Sequence, residues 1–101
     1  MVQNVWRELG GSAPFNATVG VASAVVVLPV NRRSKIVFTN DSDTVIYLAR
    51  ADQARINAGI RLNAAGGSFV DEPDTFGRIY CGPWSAISTA ATKNLCISQD
   101  L

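Results

Sequence analysis

The chain has 101 residues with nine Lys and Arg against eight Asp and Glu, a formal net charge of +1, 48% hydrophobic residues and no histidine. This length corresponds to one domain; the apolar content argues against intrinsic disorder, and the near-zero charge argues against a nucleic-acid binder, which needs an excess of Lys and Arg. The absence of histidine removes the commonest general base and the commonest transition-metal ligand.

Residue types that favour strands dominate the rest of the composition. Val, Ile and Thr sum to 24 residues, whereas Glu occurs only twice, and branching at Cβ suits the pleated surface of a sheet. The chain starts without a basic segment followed by an apolar stretch, and its longest apolar run, 24–30, is far shorter than the about 20 residues of a transmembrane helix. We therefore expect synthesis in the cytoplasm, no membrane association and reduced cysteines at Cys81 and Cys96.

The first twenty residues lack strand alternation and contain paired glycines and a proline, so residues 1–20 are predicted to form an irregular N-terminal arm. Residues 21–101 are predicted to form the single folded domain. Two large aromatic side chains, Trp6 and Phe15, lie in the arm. Such groups in an irregular segment either pack back on their own domain or make an exposed contact with a neighbouring subunit.

The remainder of the chain reads as short strands separated by turn residues. The predicted strands are 21–30, 35–39, 44–48, 59–62, 68–71, 77–81, 84–88 and 93–99. Residues 49–58 fit either one short helical turn or a surface excursion. Because turn signals recur every about 8–12 residues, we expect an all-β fold: a single antiparallel β-sandwich or jelly-roll-like barrel of about eight short strands, with an irregular N-terminal arm.

No constellation of catalytic or metal-binding residues is found. Without histidine there is no Ser–His or Cys–His pair, and Cys81 and Cys96 fit no zinc spacing. They are interpreted as small buried apolar residues, with a disulfide formed after release as the alternative. Asp41 and Asp43 have the spacing of calcium ligands, but a hairpin turn that bonds its own backbone is favoured, since no bidentate glutamate follows. The acidic residues at 71–74 are interpreted as a solvated turn. We expect no enzyme, metal site or cofactor.

One local basic doublet, Arg32 and Arg33, follows the first predicted strand. In a turn beside a neutral domain it fits a solvated corner, and the alternative is a binding contact. Together with Trp6 and Phe15, these two arginines are the candidate partner-binding residues.

Six segments of the chain follow, in order, the pattern of a known family. They are RSKIVFTNDS at 33–42, VIYL at 45–48, GIRLNAAGGSF at 59–69, GRIY at 77–80, WSAIS at 84–88 and LCIS at 95–98. The pattern resembles a small β-sandwich found among the virion structural proteins of tailed bacteriophages, and it covers about two thirds of the chain, residues 32–99. In such virions this module serves as a capsid decoration protein, in a head fibre, or at the head–tail connection. The resemblance implies no catalytic residues, and the N-terminal arm lies outside it.

The resemblance therefore implies a phage virion structural protein: a capsid decoration or stabilising protein that binds the capsid lattice non-covalently as a homo-oligomer, with a trimer as one option. The expected partners are the major capsid protein or other virion proteins, not nucleic acid or a membrane, and the expected location is the virion, after synthesis in the host cytoplasm. A head–tail connector or fibre-associated module is one alternative. Another is a carbohydrate- or receptor-binding β-sandwich, which needs aromatic side chains on an exposed face, with Tyr47, Tyr80 and Trp84 as candidates. A small enzyme is the last alternative.

Overall fold

The computed structural model describes residues 12–101, and these form eight strands and no helix. The strands are β1 (Ser12–Val19), β2 (Ala24–Val27), β3 (Lys35–Asn40), β4 (Ile46–Ala49), β5 (Ile60–Leu62), β6 (Ser68–Asp71), β7 (Trp84–Ser88) and β8 (Lys93–Asp100). They make two antiparallel four-stranded sheets: sheet A has the order β1-β8-β3-β6 and sheet B the order β2-β7-β4-β5. This strand order is that of a jelly roll, so the predicted all-β sandwich is confirmed.

The core lies between the sheets because alternate residues of each strand point inward. On sheet A, the buried positions include Ile36 and Phe38 of β3 and Ile97 of β8. Trp84 at the start of β7 is fully buried; its ring centroid lies 4.8 Å from that of Phe38 and 5.8 Å from that of Tyr80. The tilted and edge-on arrangements are those that aromatic pairs prefer, so Trp84 joins the two sheets at the centre of the core.

The two ends of the sandwich carry different connections. Ser12 pairs with Asp100, and Asp100 also pairs with Lys35, so β1 begins, β3 begins and β8 ends at the same end, which we call the entry end. The connections 28–34 and 72–83 also lie there, joined by a hydrogen bond from Val30 N–H to the Cys81 carbonyl.

The opposite end is organised by Asn40, which is fully buried at the end of β3. Its Nδ2 donates to the carbonyls of Thr44 (2.8 Å) and Leu62 (3.1 Å), and its Oδ1 accepts the Ser42 hydroxyl (2.6 Å). The turn after β3 therefore bonds its own side chains and backbone, as the Asn-Asp-Ser-Asp sequence predicts.

The long connection between β4 and β5 covers the outer face of sheet B. Ala54 is buried against Tyr47 and Ile87, and its N–H donates to the Ser23 Oγ at 2.7 Å. The Tyr47 hydroxyl hydrogen-bonds the Asn57 Oδ1 at 2.8 Å. Of the two interpretations for residues 49–58, the surface excursion is correct, and it gives sheet B a second small apolar layer.

Residues 12–19, predicted as part of the irregular arm, form β1 and pair along their whole length with β8. The inward positions of this strand include Ala13 and Ala17, whose small side chains weaken the alternation that sequence patterns reveal. Pro14 is tolerated because β1 is an edge strand. The sandwich therefore includes residues from Ser12 onward, and the rest of the predicted arm, residues 1–11, lies outside the described residues.

Residues 77–81, predicted as a strand, have no sheet partner. Gly77 has a φ of +77°, and the carbonyls of Tyr80 and Cys81 accept bonds from the Arg33 side chain and from Val30 N–H instead. The backbone of this segment thus bonds to the other connection of the entry end instead of to a neighbouring strand. Periodicity in the sequence does not distinguish these two cases.

Candidate functional site

Arg33, one of the candidate partner-binding residues, makes its contacts within its own chain. It is buried, and its guanidinium donates to the Gln99 Oε1 at 2.7 Å, to the Tyr80 carbonyl at 2.8 Å and to the Gly82 and Leu28 carbonyls at 3.2 Å. Burial lowers the pKa of this guanidinium. All of these acceptors belong to its own chain, so Arg33 joins the two connections of the entry end to β8 and offers little to a partner.

Arg32, by contrast, is exposed at the entry end. It remains available to a partner there, in the same connection as Leu28. The sequence doublet therefore divides into one inward and one outward arginine, a difference that the identity of the two residues does not predict.

Phe15 lies on β1, opposite Ile97 of β8, and its side chain is 39% exposed at the edge of the sandwich. It lines a shallow groove of about 360 Å³ between β1 and the end of β2, together with apolar residues such as Val26 and Leu28. A partly exposed aromatic ring in an apolar groove is compatible with partner binding. Trp6, the other aromatic candidate, lies outside the described residues.

The most exposed large apolar side chain of the described residues is Phe76, at 80%. Asp74 closes the loop that carries it: its carboxylate accepts the N–H groups of Phe76 (2.8 Å) and Arg78 (2.9 Å) and pairs with the Arg78 guanidinium at 2.8 Å. The Arg78 and Phe76 backbone donors, with the Arg78 side chain, lower the pKa of Asp74. The loop is therefore held by its own hydrogen bonds while it presents an aromatic ring to solvent.

Leu28, at 76% exposed, is the second such side chain. It lies in the other connection of the entry end, and its carbonyl is held by Arg33. Phe76 and Leu28 thus give the entry end two exposed apolar groups on hydrogen-bonded connections, and sequence analysis missed both. The signal for Phe76 is its position between Pro73 and Gly77, where a turn leaves a large aromatic side chain without an inward-facing strand position.

Four of the five acidic residues that the sequence singled out, Asp41, Asp43, Asp71 and Asp74, have side-chain partners within the chain. Asp43 pairs with Lys93 at 2.6 Å, which together with the Thr44 hydroxyl lowers its pKa. Asp71 is buried and pairs with Arg50 at 2.7 Å, so it is not part of a solvated turn. Among the described residues no group of three or more Cys, Asp or Glu side chains is placed to hold a metal ion.

The aromatic residues considered for a carbohydrate platform do not form one. Trp84 is fully buried, and Tyr47 lies beneath the β4–β5 connection. Tyr80 is half-buried, and its hydroxyl donates to the Pro83 carbonyl at 2.7 Å. Stacking on a sugar needs an exposed ring face, which Trp84 and Tyr47 do not offer.

Both cysteines are free thiols, and both are half-buried. Cys81 lies in the connection before β7, and Cys96 points outward from β8. The two thiols therefore form no disulfide. The prediction that both side chains are buried in the core is wrong, because each is only half-buried.

Comparison with known proteins adds no relative: no family model, no curated protein and no solved structure matches this chain. Within residues 12–101 there is no helix long and apolar enough to cross a membrane.

Proposed function

We propose that this chain is a structural protein of a tailed-phage virion, which decorates or stabilises the capsid by non-covalent binding as a homo-oligomer. The sequence resemblance motivates the proposal. The jelly-roll sandwich is compatible with it, because this fold is used by viral capsid domains among others, but fold alone does not assign a function.

The observation that carries the proposal is the exposed apolar pair at the entry end. Phe76 and Leu28 expose 80% and 76% of their surface in connections held by Asp74 and Arg33. Burial of exposed apolar surface is the main driving force of protein association, and groups held in place lose less conformational entropy on binding. The entry end therefore has the character of a contact surface for another virion protein.

The exposed Arg32 lies at the same end. Residues 1–11 are joined in sequence to Ser12, the first residue of β1, and carry Trp6, which is proposed as a further contact to the capsid. Deletion of residues 1–11 tests this contact and keeps all eight described strands, whereas a longer deletion removes paired residues of β1.

The test is sedimentation of purified protein with undecorated heads of the phage whose genome encodes it. We expect the wild-type chain to pellet with the heads, and Phe76→Ser with Leu28→Ser to weaken binding at least about tenfold, which corresponds to about 1.4 kcal/mol. The matched control is Val21→Ser, because Val21 is also exposed, at 63%, but lies at the opposite end, between β1 and β2.

The proposal is contradicted if the wild-type protein stays in the supernatant even when it is in excess over the binding sites on the heads. Equal losses for the entry-end pair and for Val21→Ser contradict the role of the entry end. Binding confined to tails or to fibres instead of heads supports the connector or fibre alternative. In the encoding genome, a position beside the major capsid gene favours decoration, and a position among tail genes favours the alternative.

A further inference from the structure

The outer face of sheet A is an ordered grid of side chains. Cross-strand register places Pro14, Ser98, Val37 and Val70 in one row and Asn16, Cys96, Thr39 and Ser68 in the next. These residues point outward because their neighbours along the strands, such as Phe38 and Ile97, are buried in the core.

The described chain leaves this face bare, in contrast to the outer face of sheet B, which Ala54 and its connection cover. Val70 is 42% exposed, and a shallow groove of about 400 Å³ runs past Pro14, Val37 and Cys96. Within the four strands the outward side chains carry only two charges, Lys35 and Asp100, which have opposite signs and pair in register at the entry end.

We propose that this face binds the same face of a second copy. The two-fold axis of this dimer lies between the two faces and parallel to the strands, above the line that separates β8 from β3. The inference deepens the proposed function, because self-association is one part of it. Rotation about this axis brings β1 over β6 of the other copy and β8 over its β3. An isologous contact of this kind brings the same patch of both copies together.

The register then determines which side chains meet. Pro14 lies over Val70 of the other copy, Val37 lies over Ser98, and Lys35 lies over Asp100. Apolar groups thus meet apolar or small groups, and opposite charges meet each other. A face with a net charge at its centre would instead repel its own copy.

The area of the face predicts a weak contact. Four strands spaced about 4.8 Å apart and up to eight residues long at about 3.3 Å each cover about 500 Å² per copy, or about 1,000 Å² in total, the low end for a specific interface. We therefore expect a dissociation constant between about 10 µM and about 1 mM. Such an affinity leaves the chain largely monomeric when dilute and self-associated where copies are concentrated on a surface.

The experiment uses the full chain and its two native thiols. Light scattering from about 1 µM to about 1 mM is expected to show the average mass rising from that of one copy toward that of two. Over the same range, the rate at which a maleimide labels Cys96, followed by mass spectrometry, is expected to fall several-fold. Labelling of Cys81, which lies outside the face in the connection before β7, is expected to stay constant and is the internal control.

Two matched variants test the surface itself. Val70 on β6 and Val25 on β2 are both 42% exposed on edge strands, one in each sheet. Val70→Arg is expected to remain folded and monomeric, with Cys96 labelled quickly at every concentration. Val25→Arg is expected to associate as the wild type does.

A wild-type chain that is monomeric throughout the range, or that forms a trimer, overturns the inference. So does protection of Cys96 that does not depend on concentration, since that result indicates that residues 1–11 of the same copy cover the face. Loss of association in Val25→Arg but not in Val70→Arg assigns the contact to sheet B and overturns it as well. Because no capsid is present, these outcomes are independent of whether the chain binds phage heads.

Discussion

Replacement of Arg33 by Met removes the guanidinium and keeps a side chain of similar length. In the structure this guanidinium donates hydrogen bonds to three main-chain carbonyls of the entry end, those of Tyr80, Gly82 and Leu28. It also donates to the side chain of Gln99. The variant therefore leaves these acceptors without their donor while most of the apolar packing of the stem is retained.

The cost follows from the number of acceptors. A buried acceptor that loses its partner costs about 1–3 kcal/mol; the lower value applies here because water can reach connections at the end of the sandwich. Three carbonyls at about 1 kcal/mol each, with the loss of the charged bond to Gln99, give about 4 kcal/mol. This loss is a large part of the about 5–15 kcal/mol by which a domain of this size is stable against unfolding. At about 5 °C per kcal/mol, it corresponds to a fall of about 20 °C in Tm.

Urea unfolding followed by fluorescence and by circular dichroism measures this loss. Arg32→Met is the matched control, because its exposed side chain predicts a change within about 0.5 kcal/mol. Arg33→Lys restores the charge and some donors, so its loss is expected to fall between those of the wild type and Arg33→Met. A loss below about 1 kcal/mol for Arg33→Met, or equal losses at positions 32 and 33, would refute the role assigned to Arg33.

Two further predictions concern the backbone and pH. A Cβ at Gly67 would overlap the Asn63 backbone, whereas a Cβ at Gly20 meets nothing within 4 Å. In thermal unfolding, Gly67→Ala is therefore expected to lower the stability by about 1–3 kcal/mol and Gly20→Ala by almost nothing. Equal effects of the two substitutions would contradict the close approach at Gly67. The pKa of Asp74 lies below its usual value of 3.8, chiefly because its carboxylate accepts the Arg78 N–H. The ionised carboxylate therefore stabilises the fold above the usual pKa, and this stabilisation is lost as the pH falls through the lowered pKa. An NMR titration of the Asp74 carboxyl measures the shift, and an unshifted titration would contradict the hydrogen-bonded loop.

Local patterns predict those elements whose two faces differ strongly. In β3, large apolar residues such as Ile36 and Phe38 alternate with more polar ones, and β6 and β7 were predicted with the bounds that the structure has. In β1, alanine takes inward positions and Pro14 suggests a break, so the alternation is weak and the strand was missed. Local periodicity thus detects a strand by contrast between its faces, and an edge strand with small residues has little contrast.

The candidate site is harder to predict, because it depends on contacts between distant parts of the chain. Arg33 meets Tyr80 and Gln99, which are 47 and 66 residues away, and no local feature distinguishes it from Arg32. The exposure of Phe76 likewise follows from the loop that Asp74 closes. Sequence analysis therefore predicts the class of fold, whereas the tertiary contacts decide which arginine faces solvent and which apolar side chains are left for a partner.

The composition of purified virions tests the proposed role most directly. Particles of the encoding phage, purified on a density gradient, can be digested and their proteins counted by mass spectrometry against the major capsid protein. The proposed capsid decoration predicts that this chain is present in many copies per head, in a fixed ratio to the major capsid protein. Its absence from purified particles, while it is abundant in the infected cell, would contradict the proposal.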